Sequence, residues 1–159
     1  MMATQGEALA ARVDLLTQEI AGVIDGCSEQ QWQKACAGEG WSVGVTAHHL
    51  AGGISPTAGL VQAVATGQPL PPLTAEIIDA DNAVHAQQFA SCTKAETLAL
   101  LKSNGAAAAS MVRSLSDAQL GRTASFALLG DTPVSAAQAA EGALLGHAQA
   151  HLTSLRATL

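Results

Sequence analysis

The C-terminal segment GHAQAHLTSLRATL (146–159) combines a helical apolar pattern with two histidines that lie four positions apart. Small and apolar residues recur at steps of three and four through this segment and the residues before it, which predicts an amphipathic α-helix. The inward stripe of this helix consists of Ala137, Ala140, Leu144, His147, His151 and Leu155. Two imidazoles are therefore expected one helical turn apart on the face that meets the core.

The composition favours a core built from aliphatic side chains on closely packed helices. The chain has 159 residues, which is the usual size of one domain, and we expect residues 1–159 to form a single domain. Hydrophobic residues make up 48% of the chain and aromatic ones 3%, so leucine, valine, isoleucine and alanine must supply the core. Alanine in such numbers suits helices that approach one another closely.

Charge and cysteine content restrict the partners and the compartment. The net charge is −6 and no cluster of lysine or arginine is present, which argues against nucleic acid. No stretch approaches the roughly 20 apolar residues of a membrane span, and the N-terminus lacks the pattern of a signal peptide. The cysteines are odd in number and form no C-x-x-C pair, which favours reduced thiols in a cytoplasmic protein.

The charged fraction is low, at 13%. An alanine- and leucine-rich chain with so few charges leaves apolar helix faces that one bundle does not cover. We therefore expect a homodimer.

The first half of the chain predicts two long helices. The first runs from about Thr4 to Ile24, where apolar residues recur at helical spacing. The second begins after Ser42, a typical N-cap residue, and continues to about Thr66, with Pro56 as a candidate kink. The proline-rich stretch TGQPLPPLT then predicts a loop.

The second half predicts a third and a fourth helix. The third starts near Thr74, but Thr93 and Glu96 form a capping box, so it is either two segments or one bent helix reaching about Leu115. TASFALLGDTPVS is short and turn-like, which favours a loop or small hairpin, and Ser135 then caps the last helix. The predicted fold is therefore all-α, a four-helix bundle with a short loop or hairpin before the last helix.

The histidine pair admits an ordinary and a functional interpretation. A buried histidine more often hydrogen-bonds than binds metal, so the pair could consist of core residues. Two imidazoles on one apolar face nevertheless need partners, and no acidic residue on the stripe can serve both. A divalent cation would bind both rings through neutral nitrogens, and a third ligand would have to come from another helix. AHHL in helix two is the obvious source, with His49 pointing inward and His48 turned about 100° around the helix.

WSVGVTAHHLA (41–51), with a tryptophan eight positions before His49, and H-x-x-x-H on the final helix together resemble the DinB-like superfamily. This superfamily of bacterial four-helix bundles includes mycothiol-dependent maleylpyruvate isomerases and bacillithiol transferases. The resemblance implies a three-histidine metal site, which maps to His49, His147 and His151. It also implies a divalent metal ion, zinc or nickel, with water in the open positions, and a low-molecular-weight thiol as a candidate cofactor.

We therefore expect a metal-dependent enzyme of thiol-transferase, isomerase or hydrolase type that acts on a small molecule or a thiol. The alternatives are a non-catalytic metal- or ligand-binding protein and a helical scaffold whose histidines are core residues. No residue is identified as catalytic by its pattern. Candidates for a general base are His85, Asp79 and Glu141.

Further residues are expected around the metal. His85, Asn82 and His48 are candidates for lining a pocket. Trp32 and Trp41 are expected to cap the ends of the bundle rather than to contact a cofactor.

Overall fold

The computed structural model describes residues 2–159, which are predominantly helical. The helices are α1 (Gln5–Asp25), α2 (Glu29–Trp32), α3 (Val43–Thr66), α4 (Ala75–Gln88), α5 (Lys94–Arg113), α6 (Asp117–Leu120), α7 (Ala136–Ala139) and α8 (His147–Thr158). A π-helical segment (Ala140–Gly146) joins α7 to α8. Strands β1 (Thr123–Phe126) and β2 (Thr132–Ser135) form an antiparallel hairpin around a 3-10 turn (Ala127–Leu129). None of the helices described is long and apolar enough to cross a membrane.

Serine and threonine caps fix where the helices begin. Side-chain oxygens accept hydrogen bonds from the third residue of the helix that follows, which satisfies backbone donors that have no partner inside the helix. Reciprocal capping boxes are formed by Thr4, Ser28, Thr93, Ser116 and Ser135. The sequence left open whether residues from Thr74 to Leu115 form two helices or one bent helix. The capping box at Thr93 begins a new helix, so α4 and α5 are separate.

The four long helices form a bundle in which neighbours alternate between antiparallel and parallel packing. α1 runs antiparallel to α5, since Gly6 lies at the end of α5 and Asp25 at its beginning. α3 runs parallel to α5, with Asn104 donating to the carbonyl of Ala51 at 2.9 Å. α8 runs antiparallel to α3 and parallel to α1. The predicted four-helix bundle is confirmed, and so is the hairpin before the last helix.

Parallel packing of α3 and α5 dictates the position of α4. Two parallel helices that follow one another in the chain need a connection as long as the bundle, because the chain must return to its starting end. Residues 67–93 make this connection, and α4 forms its second half. No residue of α4 is buried, and the helix lies along α3 near the N-terminal end of that helix.

The π segment changes which face of the C-terminal helix is buried. The buried stripe comprises Ala136, Ala139, Ala140, Leu144, Leu145, Ala148, Leu152 and Leu155. A π turn takes up about one more residue than an α turn, so the buried face moves one position along the chain. The prediction that His147 and His151 lie on the core-facing stripe is therefore corrected, since both are half-buried at its edge.

Two glycines of α1 are expected to respond oppositely to substitution by alanine. A Cβ at Gly6 would lie 2.8 Å from the backbone oxygen of Leu115 and 2.9 Å from that of Val112, whereas a Cβ at Gly22 would meet nothing within 4 Å. Gly6→Ala should lower the free energy of unfolding by about 1–3 kcal/mol through overpacking. Gly22→Ala should raise it by about 0.5–1 kcal/mol through helix propensity. Urea denaturation of both variants checks this, and a Gly6→Ala protein as stable as the wild type would contradict the tight α1–α5 contact.

Candidate metal centre

Three histidines from two antiparallel helices meet in the cleft between α3 and α8. One ring nitrogen from each of His49, His147 and His151 lies within 4.8 Å of the other two. The ring centroids are 5.2 Å apart for His49 and His147, 4.9 Å for His49 and His151, and 4.6 Å for His147 and His151. All three residues are half-buried, so the rings face the cleft rather than the core.

Gly53 makes room for the ring of His147. It lies on α3 one turn after His49, and a Cβ added there would come within 2.9 Å of Cε1 of His147. The neighbouring Gly52 faces the other way, where the nearest atom to an added Cβ is Cδ2 of Leu100 at 3.9 Å. The close approach of the two helices at the histidines thus depends on the absence of a side chain at position 53.

The surroundings disfavour the charged form of two of these histidines, His49 and His147. Burial, together with the charges of His151, His147 and His85, lowers the pKa of His49 to about 4, although Glu39 acts in the opposite direction. Burial and then the charge of His151 lower the pKa of His147 below its ordinary value. Neutral imidazoles offer lone pairs, and three of them within reach of one point form a donor set that fits a divalent cation.

Glu39, in the loop between α2 and α3, contacts one of these histidines and was not found from the sequence. Its Oε1 lies 2.8 Å from Nδ1 of His151, and its Oε2 accepts a hydrogen bond of 2.6 Å from the hydroxyl of Ser154. The side chains of Glu39 and His151 are 14% and 16% exposed. Nothing in the spacing of a loop carboxylate relates it to a helix more than a hundred positions away, so no sequence signal pointed to this pair.

Trp41 lies directly before α3, and its ring packs against the histidine cluster, a contact that the prediction of an end cap did not include. It packs edge-on against His49 with centroids 5.2 Å apart and lies 6.5 Å from His85. Trp41 belongs to the same loop as Glu39. Its position is fixed by a hydrogen bond of 2.7 Å from the backbone N–H of Cys36 to the backbone carbonyl of Trp41. Trp32 is 2% exposed and donates to the carbonyl of Cys92 at 3.0 Å, so it packs inside the protein.

The pocket candidates His48 and His85 form a pair beside the three clustered histidines. Nδ1 of His48 lies 2.9 Å from Nε2 of His85, and Phe89 stacks on His48 at 3.9 Å. The ring of His85 is 5.3 Å from that of His49. His48 is the more deeply buried of the two adjacent histidines on α3, yet it faces α4, whereas His49 faces α8. Asn82 is half-buried on α4, three residues before His85.

The acidic candidates for a general base lie elsewhere. Glu141 pairs with Arg12 of α1, so its carboxylate faces α1 rather than the histidine cluster. Asp79 is exposed on α4. Of the three candidates, only His85 is placed against one of the three clustered histidines, His49.

Comparisons with known proteins agree with this architecture. The chain superposes on YfiT from Bacillus subtilis, which is described as a probable metal-dependent hydrolase with an unusual four-helix bundle topology. The TM-score is 0.77 and the identity 15%, and the match covers 99% of this chain and 87% of YfiT, so the two share a fold. A sequence comparison with curated proteins finds no match. The family model of the DinB superfamily matches residues 12–155, and because it spans most of the sequence, the chain belongs to the DinB superfamily.

Proposed function

We propose that the chain is a metal-dependent enzyme that binds a divalent cation, zinc or nickel, through His49, His147 and His151. The observation that supports the proposal is the convergence of three ring nitrogens within 4.8 Å at the half-buried cleft. Three protein donors are typical of catalytic zinc sites, whereas structural sites are closed by four. Two imidazoles with lowered pKa values bind a cation without first losing a proton at neutral pH.

The cation and the protein contribute differently to such a site. A divalent ion held by neutral ligands lowers the pKa of a water or thiol that it binds, which supplies a nucleophile near neutral pH. The side chains hold the three rings in place and restrict access to them. Trp41 and His85 flank His49 and leave the cleft as the approach for a substrate.

The reaction class is best tested as a choice between two nucleophiles. YfiT is described as a probable metal-dependent hydrolase, which favours water, while the resemblance to thiol-dependent DinB-like enzymes favours a low-molecular-weight thiol. Metal-loaded protein should be assayed for hydrolysis of activated esters and for thiol transfer with several low-molecular-weight thiols, each beside chelator-treated protein. Activity that requires both the metal and His147 supports an enzyme. Tight metal binding without turnover in either assay would favour the non-catalytic alternative.

The homodimer and the small-molecule partner that the sequence led us to expect stay predictions.

The metal content of the purified protein should depend on the three proposed ligands but not on His48, the neighbour of His49. His49→Ala, His147→Ala and His151→Ala should each lose stoichiometric zinc or nickel, because two remaining imidazoles form a weak site. His48→Ala is the matched control and should retain the metal, since His48 faces His85. Elemental analysis of the purified proteins measures this. Equal metal loss from His48→Ala and His49→Ala would contradict the ligand assignment.

Gly53→Ala should weaken metal binding without replacing a ligand. The new Cβ would force the ring of His147 away from its position, where Cε1 lies 2.9 Å from it. We expect at least a tenfold loss of affinity, within the range seen when ligand orientation is disturbed. Gly52→Ala is the control, because its Cβ would have an ordinary contact at 3.9 Å. Competition titration with a zinc indicator measures both variants, and equal affinities would show that the ring has room to move.

The metal-free protein should be helical at pH 7.5 and lose stability as the pH falls. A chain of this size buries a core without metal, unlike a zinc finger. The pKa of His49 is about 4 in the folded protein, and an unfolded histidine titrates near 6.5. Between these values only the unfolded chain binds the proton, so the free energy of unfolding decreases from about pH 6.5 towards pH 4.

Urea unfolding of chelated protein at pH 7.5 and pH 5, followed by circular dichroism, checks this. His49→Gln should lose less stability over the interval than the wild type, because it lacks the titrating group. Identical losses for both proteins would contradict the role of His49, and a disordered metal-free chain at pH 7.5 would identify the site as structural.

A further inference from the structure

We propose that Glu39 is a positioning residue of the metal centre, which fixes the tautomer and orientation of His151 so that its Nε2 faces the metal. This inference rests on the proposed metal binding. Glu39 is a loop residue that no pattern in the sequence connects with the histidines. The inference explains why its largely buried carboxylate lies beside a ring that binds a cation only when it is neutral.

The tautomer follows from hydrogen-bond chemistry. An ionised carboxylate can only accept, so the contact of 2.8 Å between Oε1 of Glu39 and Nδ1 of His151 requires the proton on Nδ1. With the proton on Nδ1, the lone pair of the neutral ring is on Nε2.

The loop holds the carboxylate in one place. Ser154 donates to Oε2 at 2.6 Å, so both oxygens are engaged by the same face of α8. Gly40, which follows Glu39, has a φ of 73°, and its backbone N–H donates to the carbonyl of Cys36 at 2.8 Å. A left-handed residue at this position turns the chain so that Glu39 and Trp41 both reach the histidines.

The three proposed ligands differ in whether a carboxylate contacts a ring nitrogen. His151 has a carboxylate on its second nitrogen, whereas in residues 2–159 the ring nitrogens of His49 and His147 form no hydrogen bond to a carboxylate. Metal-binding histidines commonly donate to a carboxylate or carbonyl, and loss of that partner weakens metal binding by about 10–100-fold. A cation bound by His151 would also gain from the negative charge that Glu39 places on the other nitrogen of that ring.

The first experiment uses the metal-free protein, so it is independent of metal binding. Long-range nitrogen–proton NMR at pH 8 reports the tautomer of each histidine. His151 should be protonated on Nδ1 in the wild type. Glu39→Gln should give a mixture of tautomers, because an amide can either accept from Nδ1 or donate to it. An unchanged tautomer in Glu39→Gln would overturn the proposal.

The second experiment measures zinc affinity by competition titration. Glu39→Gln is expected to bind about tenfold more weakly than the wild type, and Glu39→Ala up to about 100-fold more weakly. Gly40→Ala should reduce affinity with the carboxylate still present, because it strains the loop. Glu19→Gln is the matched control. Glu19 is an exposed carboxylate of α1 that pairs with Arg156 of α8, the helix that also carries His151.

The outcomes separate this inference from the proposed function. Wild-type protein that binds no zinc would refute the metal site, while the tautomer measurement would still test the Glu39–His151 contact. Wild-type affinity in Glu39→Gln, accompanied only by a lower melting temperature, would show an ordinary structural ion pair and overturn the positioning role.

Discussion

The close approach of α3 to the C-terminal helix is the constraint on which the histidine cluster depends. Antiparallel packing places residue 49 opposite residue 151 and residue 53 opposite residue 147. A side chain at position 53 would occupy space within 2.9 Å of the ring of His147, so glycine is needed where the helices meet. The spacing of two histidines by one helical turn on α8 then allows a single histidine on α3 to reach both.

Much of the fold could be predicted from the sequence because its signals are local. Ser42, Thr93 and Ser135 mark helix starts through hydrogen bonds within three residues, and the structure has helices that begin there. The i, i+4 spacing also predicted that His147 and His151 share a face. The choice of His49 over His48 required only the rotation between adjacent residues on a helix.

The remaining features depend on tertiary packing. The π segment shifts the buried stripe past His147 and His151, and its broad turn has no composition signal that distinguishes it from an α-helix. Glu39 and Trp41 lie in an irregular loop whose path is set by Gly40 and by backbone hydrogen bonds, so helical periodicity said nothing about where their side chains point. The prediction of an end cap for Trp41 did not include its contact with His49 for that reason.

The gathering of five histidines at one end of the cleft has an electrostatic consequence. His48 pairs with His85, and His85 lies against His49, so each ring that gains a proton makes protonation of its neighbours less favourable. Burial acts in the same direction and lowers the pKa values of His48, His49, His85 and His147.

Protons and a divalent cation would compete for the same lone pairs. An environment that disfavours protonation leaves those lone pairs free for a cation. The negative charge of Glu39 acts in the opposite direction on the pKa of His49, and its hydrogen-bond contact with the cluster is at Nδ1 of His151. Crowding and burial thus disfavour protonation of these four rings, and the one carboxylate among the described residues that contacts a histidine of the cluster does so at Nδ1 of His151.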